Sequence, residues 1–347
     1  MLPYSELSLT AQTAFLQLLQ GALAASHART VADLPGSFAA KTVKGHRYWY
    51  YQFTQPSGKL RQLYVGPDSE PVQALIAGGS QPPSAKALGP LARSAAVLGC
   101  VEVLPRHLRV LSRLADYGFF SAGGVLVGTH AFLAFGNSLG VRWGEVSRTQ
   151  DVDLAHAGRN LALALPSDIR IDTVAAIDSL QMGFLPIQGL DGNGGASWLN
   201  PRDPEFRLDF LTTLHRGADE PYLHPQLRVV LQPLRFMEFL LEEVEQAVLF
   251  AGEVSVVVNL PAPSRYALHK LLVAAERRGA FQAKAAKDLA QAGMLLAVLR
   301  ERRGAEVEEL WQRLLGLGPG WRERAEQGAK LLQRQYPDLG IQGWLQF

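Results

Sequence analysis

Thr149-Gln-Asp-Val-Asp-Leu-Ala155 sets two carboxylates, Asp151 and Asp153, one residue apart, downstream of a tight Val127-Gly128-Thr129 turn. On a strand, residues i and i+2 point to the same face, so the two side chains project side by side. Two anions held that close are costly unless something neutralises them. Divalent metal is the usual answer, since hard Mg²⁺ prefers a few carboxylates together with substrate phosphate oxygens. The stretch therefore points to phosphoryl or nucleotidyl transfer.

Working outward, Gly123–Val127 is a short apolar strand and Thr129–Ser138 a helix that begins directly after Gly128. The Asp-Val-Asp segment is the next strand, and Arg207–Leu211 (Arg-Leu-Asp-Phe-Leu) alternates polar and apolar residues as another. Upstream, a helical stretch runs through Leu91–Tyr117, broken at Pro105. Past Leu234 the chain reads as mostly helical, with Pro263–Arg278, Phe281–Arg302 and Val307–Leu315 the clearest pieces.

At the N-terminal end, Ser8–Ala25 carries apolar residues at helical spacing. Three strand-like runs follow, Ser37–Val43, His46–Thr54 and Lys59–Val65, separated by Lys44-Gly45 and by Gln55-Pro-Ser-Gly58. They predict a small three-stranded antiparallel sheet. Gly78-Gly-Ser-Gln-Pro-Pro-Ser84 is the best linker. The expected fold class is α+β: a small mixed-sheet core over 85–240, a helical C-terminal domain over 241–347, and an N-terminal helix plus three-stranded sheet over 1–78.

The 347 residues suffice for two or three domains. With 48% hydrophobic and 19% charged residues the composition is that of a globular protein, and a net charge of +2 does not by itself announce a polyanion partner. The single cysteine, Cys100, excludes an intrachain disulfide and a thiolate zinc site, and reads as a small buried hydrophobe. No secretory pattern opens the chain and no run of apolar residues is long enough to span a bilayer, so the expected location is cytoplasmic, away from membrane.

From Gly123-Gly-Val-Leu-Val-Gly-Thr-His-Ala131 through Asp153 the chain resembles the DNA polymerase β-like nucleotidyltransferase superfamily. Within it, the likeness is to a bacterial stand-alone group, carried by Gly128–Phe132, Leu139–Trp143 and Thr149–Ala155, and continuing through Asp209 into Arg265-Tyr-Ala-Leu-His-Lys270. The resemblance implies a Mg²⁺- or Mn²⁺-dependent transfer of NMP from an NTP to an acceptor such as RNA or tRNA, a protein or a small molecule. Asp151 and Asp153 would hold metal, with Asp209 completing the site and helping to deprotonate the attacking hydroxyl. Gly128 lets backbone approach phosphate, the helix N-terminus offers free N–H groups, and the Thr129 hydroxyl adds a hydrogen bond. Lys270 would neutralise triphosphate charge. Some relatives act as toxins in stress or defence modules, which implies an antitoxin-like partner. Two departures stand out: Gly-Thr replaces the usual Gly-Ser, and the longer gap from Thr129 to Asp151 leaves room for a loop around Gly144–Arg148.

Each feature has a plainer alternative. Asp151 and Asp153 can be surface charges at a strand end, and Asp209 an edge-strand carboxylate paired with Arg207; Asp203 and Glu205 are its neighbours in probable loop. Lys270 can be a snorkelling surface lysine. Arg277, Arg278, Lys284 and Lys287 form a basic run that is either a solvated face or a contact for triphosphate or RNA. His130, His156 and His215 lack metal-ligand spacing and read as core or surface histidines. In His46-Arg-Tyr-Trp-Tyr-Tyr-Gln-Phe53, Arg47, Trp49, Tyr51 and Phe53 share one strand face and Tyr48 and Tyr50 the other. Basic residues among aromatics suit RNA or DNA binding, with Arg47, Trp49 and Tyr51 the candidate contacts; alternatively the aromatic face packs on the Ser8–Ala25 helix. The competing function class is thus a nucleic-acid-binding or interaction protein on a catalytically silent transferase scaffold.

Overall fold

The computed structural model describes residues 4–27, 37–43, 45–54, 60–79, 83–144, 150–157, 171–188, 194–214, 219–277, 279 and 282–347. Expectations on Lys44, Gln55–Lys59, the centre of the Gly78–Ser84 linker, most of the Gly144–Arg148 loop, Thr149, His215 and Arg278 lie outside the described residues. In chain order the first elements are β1 (Tyr4–Glu6), α1 (Leu9–His27), β2 (Ser37–Val43), β3 (His46–Thr54), β4 (Leu60–Pro67), α2 (Glu70–Gly79), α3 (Pro83–Val97) and α4 (Pro105–Asp116). The central part holds β5 (Val125–Leu126), α5 (Gly128–Ser138), β6 (Val141–Trp143), β7 (Val152–His156), α6 (Thr173–Ser179), β8 (Leu185–Gln188), β9 (Gly194–Asn200) and β10 (Asp203–Thr213). Then come β11 (Tyr222–Leu223), β12 (Val230–Leu234), α7 (Met237–Leu240), β13 (Val244–Ala251), β14 (Val254–Pro261), α8 (Pro263–Glu276), α9 (Gln282–Gly316), α10 (Pro319–Gln335) and α11 (Ile341–Leu345).

The fold is α+β around a mixed seven-stranded sheet with the path β11-β12-β10-β7-β5, to which β9 adds on β10 and β8 on β9. β10 runs parallel to β7 and β12 and antiparallel to β9. The alternation written in the sequence sorts the faces of the central pair. Val152, Leu154, Leu208 and Phe210 are buried to one side, and Asp153 and Asp209 stand on the other. Burying each such aliphatic or aromatic side chain contributes about 2 kcal/mol.

α5 is packed on the sheet by Phe132 and Phe135, and Phe132 stacks on Trp143 with ring centroids 4.8 Å apart. Asn137 closes its far end, its amide accepting from Val101 N and donating to Val101 O, both at 2.8 Å. On the C-terminal side α8 packs between α9 and α10, and α9 is kinked at Arg303, where helical geometry lapses. That kink falls between the two helices anticipated from sequence. The fully buried Arg265 on α8 reaches Glu242 at 2.7 Å, Glu243 at 3.0 Å and the Phe239 carbonyl at 3.1 Å, fixing α8 to α7.

Two expectations need correction. The region after Leu234 is not mostly helical from its start, because β13 and β14 form a hairpin through Gly252-Glu253 with Ala251 paired to Val254. Gly252, at φ 59°, makes the tight two-residue turn, and the β-branched content of Val254–Val258 was its signal. Asn259 on β14 ties the hairpin to the loop before β5, donating to Phe120 O and Gly124 O at 2.7 and 2.8 Å. The second correction concerns α1. It packs on α3 and the hairpin through Ala11, Phe15, Leu18, Ala92, Ala95 and Phe250, not on the three-stranded sheet. Cys100 lies buried in that cluster, as its sequence context predicts.

Four buried histidines titrate well below the ordinary imidazole range because burial disfavours their charged form: His107 and His156 at about 4, His130 and His269 at about 3. An unfolded imidazole protonates near 6.5, so each contributes stability that is present above that value and lost as pH falls towards 4. Urea melts followed by tryptophan fluorescence are expected to hold their midpoint from pH 8 to 7 and to fall steeply below pH 6. A midpoint unchanged at pH 5 would contradict neutral burial of these rings.

Candidate active site

Asp151 immediately precedes β7, Asp153 lies within it, and Asp209 lies on β10 directly opposite Asp153 in the parallel register. The three carboxylates predicted from sequence are therefore brought together on one face of two central strands. The electrostatics register the crowding. Burial, and then Asp209, push the Asp153 carboxyl up to about 6, against a smaller opposing pull from Lys270. Asp151 is also raised, first by burial and then by Asp209, with Arg207, Lys284 and Lys287 opposing.

Gly128 brings the turn into this cluster. It sits at φ 64°, and a Cβ there would fall 1.9 Å from Asp153 Oδ2. Only glycine lets the backbone pass so close to the carboxylate while holding a left-handed conformation. α5 starts at this residue with no side-chain cap on its first N–H groups, leaving them available to an anion.

The turn is held from behind by the C-terminal helices. Tyr266 Oη on α8 donates to Gly128 O at 2.8 Å and also lies 3.1 Å from Gln291 Oε1 on α9. Gln291 Nε2 donates in turn to Thr129 Oγ at 3.4 Å. Thr129 is 6% exposed, and because its oxygen accepts from Gln291 its own proton stays available to donate.

Lys270 does not stand as a free cation. It is 13% exposed and pairs with Asp288 Oδ1 at 2.6 Å, while Arg277 Nε takes Asp288 Oδ2 at 2.6 Å. Burial works against its charge, but Tyr266, Asp288 and Asp153 together hold it above the ordinary lysine range. A freely snorkelling surface lysine does not describe it, because the Asp288 carboxylate holds its ammonium. Lys287 is the cation that sequence reading undervalued. It is half-buried on α9, lowered by burial and then by Lys270, and feels both Asp153 and Asp151. Tyr266, Asp288 and Gln291 were not anticipated, because their contacts join α8 and α9 to the turn across distant segments.

The competitors resolve. Asp203 is bound by Arg106 at 2.6 Å and Glu205 is exposed, while Arg207 donates Nε to Pro204 O at 3.2 Å and its charge acts on Asp151. His130 and His156 are core residues as expected: His130 Nε2 lies 2.8 Å from His107 Nδ1, and His156 Nε2 lies 2.9 Å from Ala122 O.

Among the described residues, no group of three or more His, Cys, Asp or Glu side chains is placed so that it could hold a metal ion as it stands. The donor chemistry nevertheless fits a hard cation. All three groups are carboxylates, two are destabilised by mutual repulsion and burial, and the neighbouring strong cation is already paired.

A carboxylate whose folded value of about 6 exceeds its unfolded value of about 3.9 costs stability as pH rises between the two, and in full above them. Without divalent cation, Asp153→Asn is therefore expected to be more stable than the parent at pH 7.5, by about 3 kcal/mol, with the gain gone at pH 4. A variant equally destabilised at both pH values would refute repulsion at this site. Gly128→Ala is expected to lose at least about 1 kcal/mol in the same melts, since its Cβ displaces Asp153.

Comparison with curated proteins and with solved structures gives no match. Comparison with protein families matches residues 106–316 to the family described as nucleotidyltransferase. That span begins in α4, ends with α9 and takes in the glycine turn, the three carboxylates and the helices that buttress them. It covers more than half of the 347 residues, and the chain belongs to the nucleotidyltransferase family.

Proposed function

We propose that this nucleotidyltransferase works at the Gly128 turn and the Asp151, Asp153 and Asp209 cluster, transferring NMP from an NTP to an acceptor hydroxyl or phosphate and releasing pyrophosphate. The observation that carries this reading is the direct register of Asp209 with Asp153, beneath a glycine whose missing Cβ admits the carboxylate. A divalent cation such as Mg²⁺ or Mn²⁺ held by the three carboxylates would supply positive charge to phosphate oxygens.

The chain's own groups have separable tasks. The uncapped N–H groups at the start of α5 and the Thr129 hydroxyl proton hold phosphate oxygens of the triphosphate. Tyr266 and Gln291 keep that turn in place, acting as positioning residues through backbone and hydroxyl. Lys287, near both Asp153 and Asp151, adds positive charge on the α9 side, while Lys270 braces α8 against α9 through Asp288. Asp209 accepts the proton of the acceptor hydroxyl as its oxygen attacks the α-phosphorus and the bond to pyrophosphate breaks.

A second reading, a silent scaffold that binds without turnover, draws on the lack, among the described residues, of a group placed to hold a metal ion. The two separate in one experiment. The protein is incubated with each α-labelled NTP, Mg²⁺ or Mn²⁺, and lysate fractionated into RNA, protein and small molecules. The labelled fraction identifies the acceptor, and co-purification of a small protein that blocks labelling identifies an antitoxin-like partner. Asp209→Asn and Asp151→Asn are expected to cut transfer by about a hundredfold or more with unchanged circular dichroism. Wild-type transfer by both variants, or no transfer by the parent with any NTP, would sink the enzymatic reading of this site.

A further inference from the structure

The three-stranded sheet, order β2-β3-β4, turns its two aromatic faces to different ends. On one face Tyr51 is only 1% exposed and packs edge-on against Phe38 at 5.2 Å. Trp49 Nε1 donates to Asp68 at 3.0 Å, Arg47 approaches the same carboxylate at 3.9 Å, and Val72 of α2 lies against Gly66 opposite Trp49. This corrects the sequence-based choice of contacts: Tyr51 is buried, and Arg47 and Trp49 are engaged by Asp68.

The opposite face is open. Tyr50 pairs with Tyr64 across β3 and β4, their rings 5.5 Å apart, and Tyr48 lies 6.2 Å from the same Tyr64. Tyr64 is 58% exposed, and Lys41 Nζ sits 4.9 Å above the Tyr50 ring. Beside the rings runs a neutral hydrogen-bonded row. Lys41 donates to Gln62, Gln62 to Gln52 at 3.1 Å, and Gln52 to Ser37 at 3.4 Å. Residues 37–66 contain Lys41, Lys44, Arg47, Lys59 and Arg61 and no Asp or Glu.

We propose that this face, Tyr48, Tyr50 and Tyr64 with Lys41, is a platform for single-stranded RNA. Lys41 on this face, in a segment without Asp or Glu, complements a polyanion. Exposed rings take up unpaired bases by stacking, which a duplex denies because its base faces are already covered. Neutral amides and a hydroxyl beside the rings match the 2′-hydroxyl, the group that separates RNA from DNA. The proposal is independent of the catalytic reading, since none of its residues belongs to the carboxylate site.

The test is fluorescence anisotropy of the full chain with labelled oligouridine and oligoadenine of about a dozen nucleotides, titrated at several salt concentrations. The expected result is salt-dependent binding, weaker for the matching single-stranded DNA and for duplex RNA. Tyr64→Ala and Tyr50→Ala should each weaken it about tenfold or more. Tyr64→Phe should retain it, and Lys41→Gln should flatten the salt dependence by about one unit of slope. Asp151→Asn should bind as the parent does, so loss of transfer and loss of binding are read separately. Tyr64 is exposed enough for its replacement to leave the melting temperature unchanged, and Lys41→Gln supplies a second readout. Absence of binding, equal binding of DNA or duplex, or parental affinity in both alanine variants would overturn the proposal.

Discussion

The contact between a glycine without a side chain and a buried carboxylate organises the catalytic half of this molecule. Gly128 leaves β5 in a left-handed conformation, and the space a Cβ would fill is taken by Asp153 Oδ2. Because of that contact the first turn of α5 opens directly over the anionic face of β7 and β10. Any larger residue separates the two, and the uncapped N–H groups of α5 then no longer sit beside the carboxylates.

Around this contact the structure balances repulsion with outside support. Burial first, and then the neighbouring carboxylates, raise Asp153 and Asp151. The cost is held in place by a rigid surround: fully buried Val152, Leu154, Leu208 and Phe210 beneath, and Tyr266 and Gln291 fastening the turn from the C-terminal helices. The Lys270–Asp288–Arg277 cluster locks α8 to α9 close by. A surround fixed in this way leaves little reorganisation to accompany a change of charge at these carboxylates.

The three-stranded sheet follows a different physical logic. One face is spent on its own stability, with Asp68 gathering Trp49 and Arg47 and α2 covering the strand edge. A small sheet needs such cover on one side, which leaves the other to Tyr48, Tyr50 and Tyr64, with Lys41 over the Tyr50 ring and Tyr64 exposed. The fully buried Arg265, in contrast, carries a motif position of the catalytic region without reaching the carboxylates. Its charge serves to fix α8 to α7.

Much of the carboxylate cluster and its glycine turn was legible in the sequence because their signals are local. A period of two puts Asp151 and Asp153 on one face, a glycine before an apolar helix marks the turn, and Asp209 sits in a strand of alternating polarity. The small sheet was legible for the same reason, its turns being marked by Gly and Pro, whereas the β13–β14 hairpin hid in a run whose apolar content suits a helix as well as a strand. Tertiary structure alone decided which strands are neighbours. It set Asp209 against Asp153 rather than elsewhere, since strand order depends on packing between segments distant in sequence. It also gave Lys270 to Asp288, brought Tyr266 and Gln291 to the turn, and buried Tyr51 while exposing Tyr64. Those outcomes depend on which helix covers which face, and no spacing rule along one segment contains that information.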